Sequence, residues 1–141
     1  GQILLGSVAS SGLVRFDPTP FGLNLNYDNI QNFGNIEISS GSRINTSGIG
    51  GGRIEIRGGL VTLSGGQIYA LTLGNIDGRG IDISSQQLRV QNGSQISTLT
   101  LGEGAGGDIN IRATDLVELK GIGFDSYQLL LINYLISGTL N

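Results

Sequence analysis

The chain has 141 residues, a formal net charge of −3, no cysteine and no histidine. That composition excludes a disulfide framework, a thiolate or histidine metal site and a His-based catalytic triad, and the acidic balance argues against nucleic acid as a partner. The 25 glycines lack the every-third spacing of collagen and 38% apolar content is too high for a disordered tract, so the length suits one folded domain.

Gly1 is not an initiator residue, and no charged segment leading into an apolar run follows it. The expectation is a piece of a longer protein, whose destination the missing signal peptide does not decide. Gln2-Ile3-Leu4-Leu5-Gly6 reads as an opening strand. Leu13 to Phe16 and Leu23 to Tyr27 alternate apolar with polar residues, and Asp17-Pro18-Thr19-Pro20-Phe21-Gly22 between them is rich in turn formers. A hairpin or a widened corner is expected over 13–33. The next segment, Gly34-Asn35-Ile36-Glu37-Ile38, leads through Ser39-Ser40-Gly41-Ser42-Arg43 to Ile44, and Ile36 stands nearer to Ile54 than the later repeats stand to one another. Either this is a shortened turn, or its missing wall comes from Leu23 to Phe33.

From Gly51 one pattern is written three times. Ile54-Glu55-Ile56 returns as Ile81-Asp82-Ile83 and as Ile109-Asn110-Ile111, at a nearly constant interval. Val61 and Leu63 follow the first pair, Leu88 and Val90 the second, Val117 and Leu119 the third, and Ile68 and Ile96 follow in the first two copies. Period two within each pair places those side chains on one face of a strand, and the Gly, Ser and Asn between pairs supply turns. Each unit reads as three very short strands joined by corners. Such a unit encloses almost nothing alone, so it must stack, strand upon strand about 4.8 Å apart, with Ile54, Ile81 and Ile109 in one inward ladder. The fold class expected is all-β, a right-handed parallel β-helix (solenoid) of about five turns. It forms a single segment with irregular turns over 1–50, regular repeats over 51–121, and a divergent end or a cap over 122–141. The apolar run from Leu129 to Ile136 is shorter than the roughly 20 residues a membrane span needs.

Several of these stretches resemble a known family. Gln2-Ile3-Leu4-Leu5-Gly6-Ser7-Val8, then Tyr27 to Phe33, then Gly50 to Ile56 with Val61-Thr62-Leu63-Ser64-Gly65-Gly66-Gln67-Ile68 are similar in kind and order to the repeat region of filamentous-haemagglutinin-type exoproteins. These are secreted by the two-partner route, and the likeness is greatest to the long versions of cyanobacteria. The resemblance covers roughly residues 1 to 121. It implies a right-handed β-helix in a protein exported through a dedicated outer-membrane barrel partner, secreted or displayed at the cell surface, with roles in adhesion and surface structure. The partner would be a host-surface or extracellular glycan or protein receptor. The family's secretion domain has no match here, so this segment is not expected to bind the transporter.

Some segments imitate other chemistry. Gly102-Glu103-Gly104-Ala105-Gly106-Gly107 has the spelling of a dinucleotide loop, but that loop must open a helix, and a strand is expected after it. Gly106-Gly107-Asp108 resembles one step of a calcium-binding nonapeptide array, yet the preceding turn offers Gly78-Arg79-Gly80. No cofactor is expected. The candidate site residues are an outward acidic ladder of Glu37, Glu55 and Asp82, with Arg53, Arg57 and Arg112 near enough to neutralise it, and Phe21, Tyr27 and Tyr69 as aromatic platforms for sugar rings. Each has a plainer meaning, a solvated strand face or packing under a loop. A stalk that presents adhesive surface, with no catalytic activity, is therefore the expectation. The alternative is a β-helix carbohydrate-active enzyme, a polysaccharide lyase or hydrolase, which would require a cleft that perturbs an acid and a base together.

Overall fold

In the computed structural model, which describes residues 1–121, alternating apolar positions and glycine-rich corners give eleven strands. In chain order they are β1 (Gln2–Gly6), β2 (Arg15–Thr19), β3 (Gly22–Asn26), β4 (Ile36–Ser39), β5 (Arg43–Asn45), β6 (Gly48–Gly50), β7 (Arg53–Ser64), β8 (Gln67–Ile76), β9 (Gly80–Gln91), β10 (Gln95–Thr100) and β11 (Ile109–Leu119). Apart from the antiparallel pair β2 and β3, every strand pairing is parallel. The chain is a β-solenoid, and the described residues contain no helix.

The expected register holds. Ile3, Ile54, Ile81 and Ile109 are successive partners, Ile36, Val61, Leu88 and Val117 form a second ladder, and Ile44, Ile68 and Ile96 a third. Ile54, Ile56, Val61, Leu63, Ile68, Ala70, Ile81 and Leu88 are all 0% exposed. Burying each large one is worth about 1.5–3 kcal/mol. The core is a narrow column of branched aliphatic side chains, enclosed by neighbours within each coil and by equivalents in the coils beside it.

Two expectations need correction. Ile54-Ile56 and Val61-Leu63 are not on separate short strands, because β7 runs unbroken past Gly58-Gly59 and keeps its partners in β9 on both sides of the bend. A parallel ladder survives a corner when both coils bend at the same place. The count of turns also changes, from about five to about three over the described residues, followed by β11. Everything from Gly1 to Gly50 makes a single turn: β1 lies along the first half of β7, β4 along the second half, and β5 with β6 along β8. Thus the Ile36 segment is neither a shortened turn nor in need of a wall from Leu23 to Phe33; its missing opening strand is β1.

The excursion between β1 and β4 closes on itself. Val8 bridges Phe33, the Ala9 amide donates to the Asn32 carbonyl at 2.9 Å, and the Gly34 amide donates to the Ser7 carbonyl at 2.9 Å. The chain leaves the coil at Ser7 and re-enters beside it at Gly34, so β1 and β4 together do what β7 does as one strand. Within the loop, β2 and β3 form a hairpin, the first of the two alternatives expected there, and it attaches to the outer wall. The Gln2 amide group donates to the Leu23 carbonyl at 2.6 Å and accepts from its N–H at 3.0 Å, and Arg79 donates to the Phe21 and Gly1 carbonyls at 2.6 and 2.8 Å. The divergent end or cap expected over 122–141 lies outside the described residues.

Candidate functional site

The outward positions of β7, β9 and β11 form columns, since every second side chain faces away from the core and the strands are in register. One column is Leu4, Glu55, Asp82 and Asn110. Its two carboxylates are bound by one guanidinium, with Arg53 Nη2 2.9 Å from Glu55 Oε2 and Arg53 Nε 3.5 Å from Asp82 Oδ2. The Asn110 amide donates to Asp82 Oδ1 at 3.1 Å, and Arg53 Nη1 donates to Asn24 Oδ1 of the hairpin at 2.9 Å. Each carboxylate is thus held by the opposite charge of Arg53. Glu37 is not in this column: its partner across the ladder is Thr62, because β4 lies along the second half of β7.

The three aromatic candidates are dispersed. Phe21 sits at the hairpin turn and is 78% exposed. Tyr69 lies half-buried on β8 beside Asn45 and Ser97. Tyr27 is buried, edge-on to Phe33 with ring centroids 5.5 Å apart, and the Arg57 guanidinium covers both rings, 5.3 Å from the Tyr27 centroid and 4.7 Å from that of Phe33. No face of Tyr27 is left to meet a sugar. Burial pushes its hydroxyl pKa upward from 10.0, and the Glu55 charge adds to this while Arg57 opposes it.

The neighbouring column is Arg57, Ser84 and Arg112. Where it meets the bend of the coil there is an open cleft of about 370 Å³, lined by Phe33, Arg57, Ser84, Ser85, Gln86, Arg112 and Thr114 among others. Among the described residues neither arginine has a carboxylate within ion-pair distance, and the Ser85 hydroxyl is buried without a hydrogen-bond partner. The sequence offered both arginines only as neutralisers of the acidic ladder. Their equal spacing from the paired isoleucines was the available signal that they form a column of their own.

The look-alike motifs are corners. The loop from Gly102 to Gly107 leads into β11, not a helix, and is pinned to the coil below: the Gly104 amide donates to the Gly74 carbonyl at 2.9 Å and the Ala105 amide to Asp77 Oδ1 at 2.8 Å. Gly80 (φ 84°) and Gly107 (φ 83°) hold left-handed backbone there, and a Cβ on either would strike backbone of the adjacent coil. Gly80, one coil below Asp108, brings no carboxylate to the place a calcium roll requires one, and Arg79 beside it is engaged with the hairpin. No group of three potential metal ligands occurs among the described residues. Comparison with protein families, with curated proteins and with solved structures finds no match to the chain.

Proposed function

We propose that this chain is a structural and adhesive segment of a secreted or surface-displayed exoprotein of the filamentous-haemagglutinin type, wound right-handed and exported through an outer-membrane barrel partner. The observation that carries the reading is the columnar outer wall. Outward positions stand in register from coil to coil over at least three strands, although the side chains on them change, so a receptor meets a shallow surface on the same regular frame at each step along a stiff rod. A rod of this kind gains attachment from many weak contacts acting together. The resemblance of Gln2 to Val8, Tyr27 to Phe33 and Gly50 to Ile68 to the family's repeats supplies the cellular setting. The same wall disfavours the rival enzyme, since Arg53 holds both Glu55 and Asp82 and leaves neither free to act as an acid or base.

Two measurements test the reading. Surface attachment of single, double and quadruple modules is expected to strengthen far faster than in proportion to module number. The chain is also incubated with pectin-like and other acidic polysaccharides and assayed for lyase or hydrolase products, then assayed again as Glu55→Gln and Asp82→Asn. Turnover that vanishes in those variants would replace the adhesive reading with the enzyme.

A further inference from the structure

We infer that the cleft at Arg57 and Arg112 is a binding site for a carboxylate-bearing saccharide, a uronic-acid unit of an acidic polysaccharide. This rests on the adhesive reading and names its ligand class. Arg57 and Arg112 stand on strands either side of Ser84, so their Cα atoms are about 10 Å apart, twice the strand spacing. Both side chains line one cleft with Ser84 between them, so a single carboxylate-bearing unit lying in it can meet both. A planar guanidinium matches a carboxylate with two parallel hydrogen bonds, which a point charge such as lysine does not. Arg57 is also held in place beforehand, because its guanidinium lies against Tyr27 and Phe33, so less side-chain freedom remains to be lost on binding.

The rest of the lining points to a sugar and not to a bare anion. Ser84, Gln86 and Thr114 line the cleft beside the arginines with polar side chains that can meet ring hydroxyls. A free phosphate would engage the guanidiniums and leave these groups unused. A uronate presents its carboxylate and its ring hydroxyls together. The volume of about 370 Å³ falls within the range of small-ligand sites, and the cleft is open on one side, so a chain of such units can pass through it.

The test uses the full 141-residue chain, titrated with trigalacturonate, with the neutral galactotriose and with inorganic phosphate, followed by calorimetry and by amide chemical shifts. Trigalacturonate is expected to bind and to shift Ser84, Ser85 and Gln86, with galactotriose and phosphate at least tenfold weaker. Arg112→Gln, which touches neither ring, is expected to lower trigalacturonate affinity at least tenfold with an unchanged melting temperature, and Arg43→Gln to change nothing. Affinity unaffected by Arg112→Gln, or phosphate or galactotriose binding as tightly as trigalacturonate, would overturn the assignment. Concatenated modules carrying Arg112→Gln separate the two ideas. If they attach to surfaces as wild type does, the cleft is wrong and the adhesive rod stands; if wild-type modules also fail to attach, the rod reading fails by itself.

Discussion

Arg53 and Arg57 leave the same strand on the same side and do different things. Arg53 ties Glu55, Asp82 and Asn24 into one polar network, while Arg57 lies on aromatic faces and keeps its charge available. The buried Tyr27 ring beneath it makes stability depend on pH at the alkaline end. Its pKa is raised in the folded chain, so between the ordinary value of 10.0 and the folded value the native state holds a proton that the unfolded state has released. The stabilisation is therefore fully present below the unfolded pKa and is lost as pH rises through the folded one. Melting temperatures recorded from pH 8 upward should be flat to about pH 10 and then fall, with a shallower fall in Tyr27→Phe. Parallel curves for the two proteins would mean that the hydroxyl is solvated.

At the scale of the strand, the corner between the two apolar pairs sets which way the second pair faces. Ile83 and Leu88 stand at an odd separation, yet both point inward because the backbone bends between them. In β11 the equivalent interval is longer by a single position, and the surplus is taken up as a register shift between Ala113 and Leu116, so Val117 still meets Leu88. Deleting Gln86 should turn Leu88 and Val90 to the outer face, since a shift by one inverts a strand; emptying the Leu88 site alone costs about 2–5 kcal/mol. Deleting Thr114 only removes the surplus, and should change stability by less than about 1 kcal/mol, the usual scale away from buried features. Urea denaturation of both variants gives the comparison. Equal losses would show that the bend does not set the phase.

For the whole molecule, stability is a sum over coils and the contacts between them, so length is a variable the fold tolerates. A second copy of residues 80–107 placed directly after Gly107 should insert one more coil in register. With 28 residues added to 141, the urea m-value should rise by roughly a fifth, because m follows the surface exposed on unfolding. The midpoint should not fall. An unchanged m-value would mean that the added coil does not dock. The hairpin marks where this additivity ends, since it reaches across coils through Gln2, Arg53 and Arg79 and joins the first three turns into one unit.

How much of this was legible in the sequence follows from the range of the interactions involved. The period-two apolar pairs and their return at a nearly constant interval are local facts, and they determined the all-β class, the parallel stacking and the inward ladder of Ile54, Ile81 and Ile109. The hairpin was equally local, written in the turn residues Asp17 to Gly22. What the repeat could not decide was how the irregular stretch from Gly1 to Gly50 joins it. Only the closure of Ser7 onto Gly34 makes β1 and β4 halves of one strand position, which reduces the coil count, removes Glu37 from the acidic column and brings Tyr27 and Phe33 under Arg57. The spacing of Arg57 and Arg112 was in the sequence, but a cleft exists only where the returning loop, the bend and two neighbouring coils meet. That meeting is tertiary because its parts come from segments as distant along the chain as Phe33 and Thr114, which no local pattern relates.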